Sequence, residues 1–180
     1  ANVEMAEAVA PATARRQPAA ELSEVATPGV KSIEELAAFL DIDPAITAKT
    51  LLVAGEEEGQ LVALVLRGDH QLNPIKAEKI QGIAAPLRLA GEEEARAICG
   101  AGFGSLGPVG LDIPVIVDRS AACLADFSCG ANRDDMHLTG VNWERDAPLD
   151  RVEDLRQVEE GDPSPDGEGR LQIKRGIEVG

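Results

Sequence analysis

The chain has 180 residues, 44% of them hydrophobic but only 2% aromatic, and a formal net charge of −15. That length fits one compact domain with ragged ends, its core built from Leu, Ile, Val and Ala, and no apolar run is long enough to cross a bilayer or reads as a secretory leader, so the chain reads as cytoplasmic. The charge argues against a free-standing nucleic-acid binder, which needs clustered Lys and Arg, though not against a domain that meets RNA only at one tip.

Residues 1–22 are Ala-rich, with Pro11, Pro18 and the pair Arg15-Arg16, and read as a connector because the prolines prevent one long helix. Ser32-Ile33-Glu34-Glu35 is a capping-box pattern, in which the Ser hydroxyl accepts from the amide three residues on and Glu35 reaches back. Ile33, Leu36, Ala37 and Leu40 then follow at helical spacing. Thr50 to Ala54 reads as a strand, Glu56-Glu57-Glu58-Gly59 as a hairpin-like turn, and the continuous apolar run Leu61 to Leu66 as a central strand covered on both faces.

Asn73-Pro74 opens a second helix, with Asn at the cap and Pro at the first helical position. Leu87 to Ala90 reads as a short strand, and Glu92, Glu93 and Glu94 open a third helix at its positive dipole end. Ile113 to Val117, Phe127 to Ala131 and His137 to Trp143 complete the strands, the last two separated by the turn Asn132 to Asp135. Strict alternation would put His137, Thr139, Val141 and Trp143 on one face of the last strand. The folded unit is then residues 23–158, a mixed α/β domain of the α+β kind with about three short helices. Residues 159–170 are turn-formers expected to make an exposed loop before a final strand-like stretch, 171–179. An Ala1 start without Met, and the alternation that ends at Gly180, suit a segment of a longer polypeptide, although processing also removes Met.

Cys99, Cys123 and Cys129 form an odd set with no Cys-x-x-Cys pair, and only His70 and His137 could add imidazole ligands. No zinc signature results, so no metal site is expected and the thiols read as small buried residues. Four features could carry chemistry, each with an ordinary reading beside it. Lys49, just before the strand, could grip an anion at the sheet rim or merely snorkel from the surface. The stretch Gly104-Ser105-Leu106-Gly107-Pro108-Val109-Gly110 could bring backbone amides close to a ligand or be a turn. Asp118, closing a strand before Arg119-Ser120, could serve a site or cap the next helix. His137 could be a catalyst or a packed, hydrogen-bonded residue.

Taken in order, Thr27 to Leu36, Lys49-Thr50-Leu51-Leu52, Arg67 to Asn73, Gly104 to Gly110, Asp118-Arg119-Ser120, Gly130-Ala131-Asn132 and Gly140 to Trp143 resemble the insertion (editing) domain of bacterial-type prolyl-tRNA synthetases. The flanks Ala1 to Glu4 and Glu160 to Gly180 resemble the junctions where that insertion leaves and rejoins the synthetase core, making 1–22 and 159–180 the connecting segments.

The resemblance implies the fold of the YbaK-like aminoacyl-tRNA deacylases, a mixed, barrel-like sheet with short helices around it. It implies post-transfer editing: hydrolysis of alanine from proline tRNA within a proline-tRNA ligase, by a pocket too small for proline. The alternatives are a free-standing deacylase acting in trans and a non-catalytic module that binds the aminoacyl end. By the same resemblance Lys49 holds the tRNA end through phosphate or ribose, and Thr27, Asp118 and His137 shape the site. Ile33 and Leu36 set its size, and the backbone of Gly104, Ser105, Gly107 and Pro108 orients substrate and water while the substrate's ribose hydroxyl assists that water. No cofactor is implied for this domain; ATP and Mg belong to the parent core. The implied partners are the acceptor end of proline tRNA carrying alanine and the catalytic core of a homodimeric parent synthetase.

Overall fold

The structure, a computed structural model, describes residues 5–163. The expected strand at 171–179 and most of the loop before it lie outside the described residues. The fold is α+β. A three-stranded antiparallel sheet has the order β1-β6-β5, and a four-stranded mixed sheet has the order β2-β3-β4-β7. In chain order these are β1 (Ser23–Ala26), β2 (Ala48–Ala54), β3 (Leu61–Arg67), β4 (Val115–Asp118), β5 (Phe127–Gly130), β6 (Met136–Val141) and β7 (Val152–Glu153). The expected barrel-like sheet is thus two sheets, joined where Thr47, just before β2, bridges Ser128 of β5 in parallel.

The hairpin β2–β3 pairs over its full length, from Ala48↔Arg67 to Ala54↔Leu61. β3 is central, as its apolar run requires. Val62, Leu64 and Leu66 pack with Ile116 and Leu155 on one face. On the other face, Val65 packs with Phe127 and Trp143, and Ala63 with Ala90 and Leu106. Leu64 and Leu66 are each 0% exposed, and burying a leucine side chain is worth about 1.5–3 kcal/mol. The layer between the two sheets is filled by Ala48, Val65 and Val117 from one and Phe127, Cys129, Leu138 and Val141 from the other.

The helices are α1 (Ile33–Leu40), α2 (Pro74–Glu78) and α3 (Glu92–Cys99). Ser32 caps α1 with a complete capping box, and Asp41 closes it in the left-handed conformation at φ 55°. Asn73 caps α2 by accepting from the amides of Ile75 and Lys76. The segment Leu87 to Ala90 forms no full strand. Leu89 only bridges Val53, with the Ala90 amide on the Leu52 carbonyl at 2.8 Å.

The described part of the connector, residues 5–22, forms no α-helix but lies against the fold. Ala8 is 2% exposed and its amide donates to Asp154, and Ala19 and Ala20 donate to Asp126 Oδ1.

The last long strand departs from strict alternation. β5 and β6 pair as Gly130↔His137 and Cys129↔Leu138 but then as Phe127↔Val141, so β6 carries one extra residue there. Gly140, at φ 67°, takes up the irregularity, and a side chain at that position would meet the Glu21 carbonyl at 2.1 Å. Leu138, Val141 and Trp143 therefore share the core, whereas His137 faces the other way. The expected common face of His137, Val141 and Trp143 does not exist.

Candidate active site

A cavity of about 460 Å³ opens between the two sheets beneath α1. Its walls are Lys31 to Glu34 and Leu36 of α1 and its approach, Ala48 to Leu52 of β2, Leu89 and Ala90, the loop residues Phe103, Gly104 and Leu106, Gly68 and Gln71, and Gly130 with His137 at the sheet ends. β2 is an edge strand, and between the bridges at Thr47 and Val53 no described strand pairs with its outer side. Of the residues singled out by sequence, Lys49, Gly104, His137, Ile33 and Leu36 line this one space.

Thr27 stands just behind the wall. Its Oγ1 lies 2.6 Å from His137 Nδ1, both side chains being buried. The backbone of Gly104 also faces the imidazole and favours its protonated form. Burial is the main cause that pushes the His137 pKa down; the Gly104 backbone opposes it and Lys31 adds to it. The ring is therefore neutral at neutral pH. Thr27 Oγ1 and His137 Nδ1 share one hydrogen bond, whose direction follows the tautomer. Its contacts with Thr27 and with the Gly104 backbone join His137 to the glycine loop.

The glycines of that loop are sterically required. A β-carbon on Gly104, at φ 90°, would lie 2.7 Å from Lys31 Cα. One on Gly107 would lie 2.0 Å from the Gly130 carbonyl. Gly107, Pro108 and Ser105 do not line the cavity; they are buried behind it, where the loop packs against β5. The Ser105 hydroxyl is buried with no hydrogen-bond partner. Asn132 clamps the same loop: its Oδ1 accepts from the Gly107 amide at 2.9 Å, and its Nδ2 donates to the carbonyls of Gly107 and Val109.

Lys49 is half-buried. Burial pushes its ammonium pKa down, against the pull of the Glu34, Asp69 and Glu159 carboxylates. Neither Lys49 nor Lys31 forms an ion pair with a described carboxylate, whereas most described arginines do. Two ammonium groups that pair with no described carboxylate thus line one cavity, beside Glu34, in a chain of net charge −15.

Asp118 is not part of it. β4 ends on the far side of the second sheet, and there the buried carboxylate accepts from the amides of Ser120, Leu155 and Arg156 at 2.9–3.1 Å. Burial pushes its pKa up, opposed by these bonds and by Arg156. Its role is to tie β7 and the following segment to β4, close to the capping alternative.

Sequence reading gave no role to Lys31, Phe103 or Asn132. The signals were slight. Lys31 and Asn132 sit in stretches chosen for other residues, and Phe103 is one of only three phenylalanines, next to the glycine loop. The thiols take no part: burial pushes all three up, Cys129 to about 12. Among the described residues no group of three or more His, Cys, Asp or Glu side chains is placed to hold a metal ion, and no helix is long and apolar enough to cross a membrane.

Residues 27–147 match the aminoacyl-tRNA editing domain family. Two crystal structures share the fold. One, of a hypothetical protein, is 24% identical, covers 76% of this chain and 91% of its own, and has a TM-score of 0.60. The other, of a candidate trans-editing enzyme for prolyl tRNA synthetase, is 22% identical, covers 76% of this chain and 87% of its own, and has a TM-score of 0.59.

Proposed function

Because the chain belongs to the aminoacyl-tRNA editing domain family, we propose that it hydrolyses the ester joining alanine to the 3′ end of proline tRNA. The observation that carries this reading is the meeting of Lys49, the Gly104 backbone, His137 and the apolar pair Ile33 and Leu36 around one cavity. Water adds to the ester carbonyl carbon. The intermediate then expels the ribose oxygen, which takes a proton, and alanine and a free ribose hydroxyl result. Lys49 holds the anionic RNA end. The loop fixed by His137 and Asn132 presents backbone groups to the ester and to the water. The proton of the attacking water passes to the substrate's own ribose hydroxyl rather than to the imidazole, whose Nδ1 is held by Thr27 and whose basicity burial lowers.

A cavity of about 460 Å³ is far larger than a methyl group. The sieve is therefore the part walled by Ile33 and Leu36 beside Lys49, while the rest receives the nucleoside. A second, smaller site is the physical answer to a synthetase pocket that cannot strongly reject an amino acid smaller than its own.

Action within a prolyl-tRNA synthetase is supported by the flanking resemblance. Action in trans, on tRNA already released, is supported by the likeness to a candidate trans-editing enzyme. The test is deacylation of alanyl- and prolyl-tRNA for proline by wild type and Lys49→Ala. Alanine release that is lost in the variant supports the reading, and equal release of both amino acids defeats it.

A further inference from the structure

Of the chain's aromatic side chains, Phe127 and Trp143 are buried in the core, their ring centroids 5.1 Å apart and their planes tilted by 37°. Phe39 and Phe103 are exposed, at 51% and 47%. Only Phe103 lines the cavity, where Leu89, 58% exposed, is a second apolar group on the rim. A scattered exposed hydrophobic residue needs no explanation, but Phe103 is not loosely placed. The amide of Gly102 before it donates to Asp134 at 3.1 Å, and the backbone of Gly104 after it faces His137. Gly104 also rests directly on the backbone of Lys31, and Lys31, which pairs with no described carboxylate, lines the same cavity as Phe103.

A fixed, exposed aromatic face next to a cation is the combination that receives a base of single-stranded nucleic acid: the ring stacks on the base and the cation neutralises its phosphate. We infer that Phe103, with Leu89 and Lys31, is the seat of the 3′-terminal nucleobase of the RNA, at the mouth of the cavity whose inner end takes the aminoacyl ester. This rests on the hydrolytic reading above for its substrate, and it adds a base subsite to it.

The test uses an alanylated RNA minihelix with a single-stranded 3′ end, and the same minihelix lacking only its terminal base. Phe103→Ala should lower kcat/KM on the intact minihelix on the order of tenfold to a hundredfold. It should leave the rate on the base-less one, and the melting temperature, unchanged, and Phe103→Tyr should restore activity. Lys31→Gln should lower the slope of log affinity against log salt by about 0.7. An unchanged rate for Phe103→Ala on the intact minihelix, or an equal loss on both, overturns the inference. If wild type hydrolyses neither RNA, the hydrolytic reading falls. Fluorescence anisotropy with the uncharged minihelices then decides the subsite alone: tighter binding by wild type than by Phe103→Ala, confined to the intact end, upholds it, and equal affinities overturn it.

Discussion

The hydroxyl of Thr27 and Nδ1 of His137 lie 2.6 Å apart, joining the residue after β1 to the second residue of β6 behind the cavity wall. The bond orients the imidazole beside the Gly104 backbone, so it supports the glycine loop without touching substrate. Thr27→Val keeps the shape and removes the hydroxyl, leaving Nδ1 buried and unpaired. The expected cost is about 1–3 kcal/mol of stability, with a fall in kcat for deacylation, and Thr27→Ser should recover both. Urea denaturation and single-turnover deacylation check this. Lost activity with unchanged stability would contradict it.

The second histidine makes an acid-sensitive point in the fold. His70 is 3% exposed, its Nδ1 has no hydrogen-bond partner, and its pKa is lowered from 6.5 to about 4, chiefly by burial, with Arg67 and Arg156 adding to it. A histidine lowered in the folded state is protonated first in the unfolded one. Its stability is whole above pH 6.5 and is lost as pH falls from there toward about 4. The loss is bounded by roughly 3 kcal/mol, from about 1.4 kcal/mol per pKa unit. The urea midpoint of wild type should therefore fall more between pH 7 and pH 4.5 than that of His70→Gln. Equal falls would remove His70 as the cause.

Asn132 is in the left-handed region at φ 58° and makes three side-chain hydrogen bonds to the loop. Asn132→Ala loses the bonds and strains the backbone. A loss of about 2–4 kcal/mol is expected, together with most of the deacylase activity. Asn132→Gly relieves the strain but not the lost bonds, so its stability should fall between the two. Denaturation curves of the three proteins give the order.

Leu36 is 1% exposed and on the cavity wall. Leu36→Ala should cost about 2–5 kcal/mol and raise release of proline relative to alanine. An unchanged ratio of the two deacylation rates would take Leu36 out of the sieve.

What sequence revealed and what it hid divides along a physical line. Helix starts were legible because caps are local: Ser32 with Glu35, and Asn73 with Pro74, act within one turn. β3 was legible because burial on both faces leaves no room for a polar residue. β1 and the two-residue β7 were not, since each exists only through a partner far along the chain, at residues 136–139 and 117–118. For the same reason Leu87 to Ala90 resembled a strand and made only a bridge. Within the site, Lys49 and His137 could be named from residues and resemblance. That Lys31 pairs with no described carboxylate, and that Asp118 lies off the cavity, are facts of distance that no local pattern encodes.

The single surplus residue in β6 works as a half-period phase shift. Ahead of Gly140 the odd-numbered position 137 turns to the cavity; beyond it the odd-numbered positions 141 and 143 turn to the core. One short ribbon can thus hand its leading end to chemistry and its trailing end to packing. Deleting one residue at the kink would rotate Val141 and Trp143 out of the interior, so this glycine governs which stretch of the strand belongs to which task.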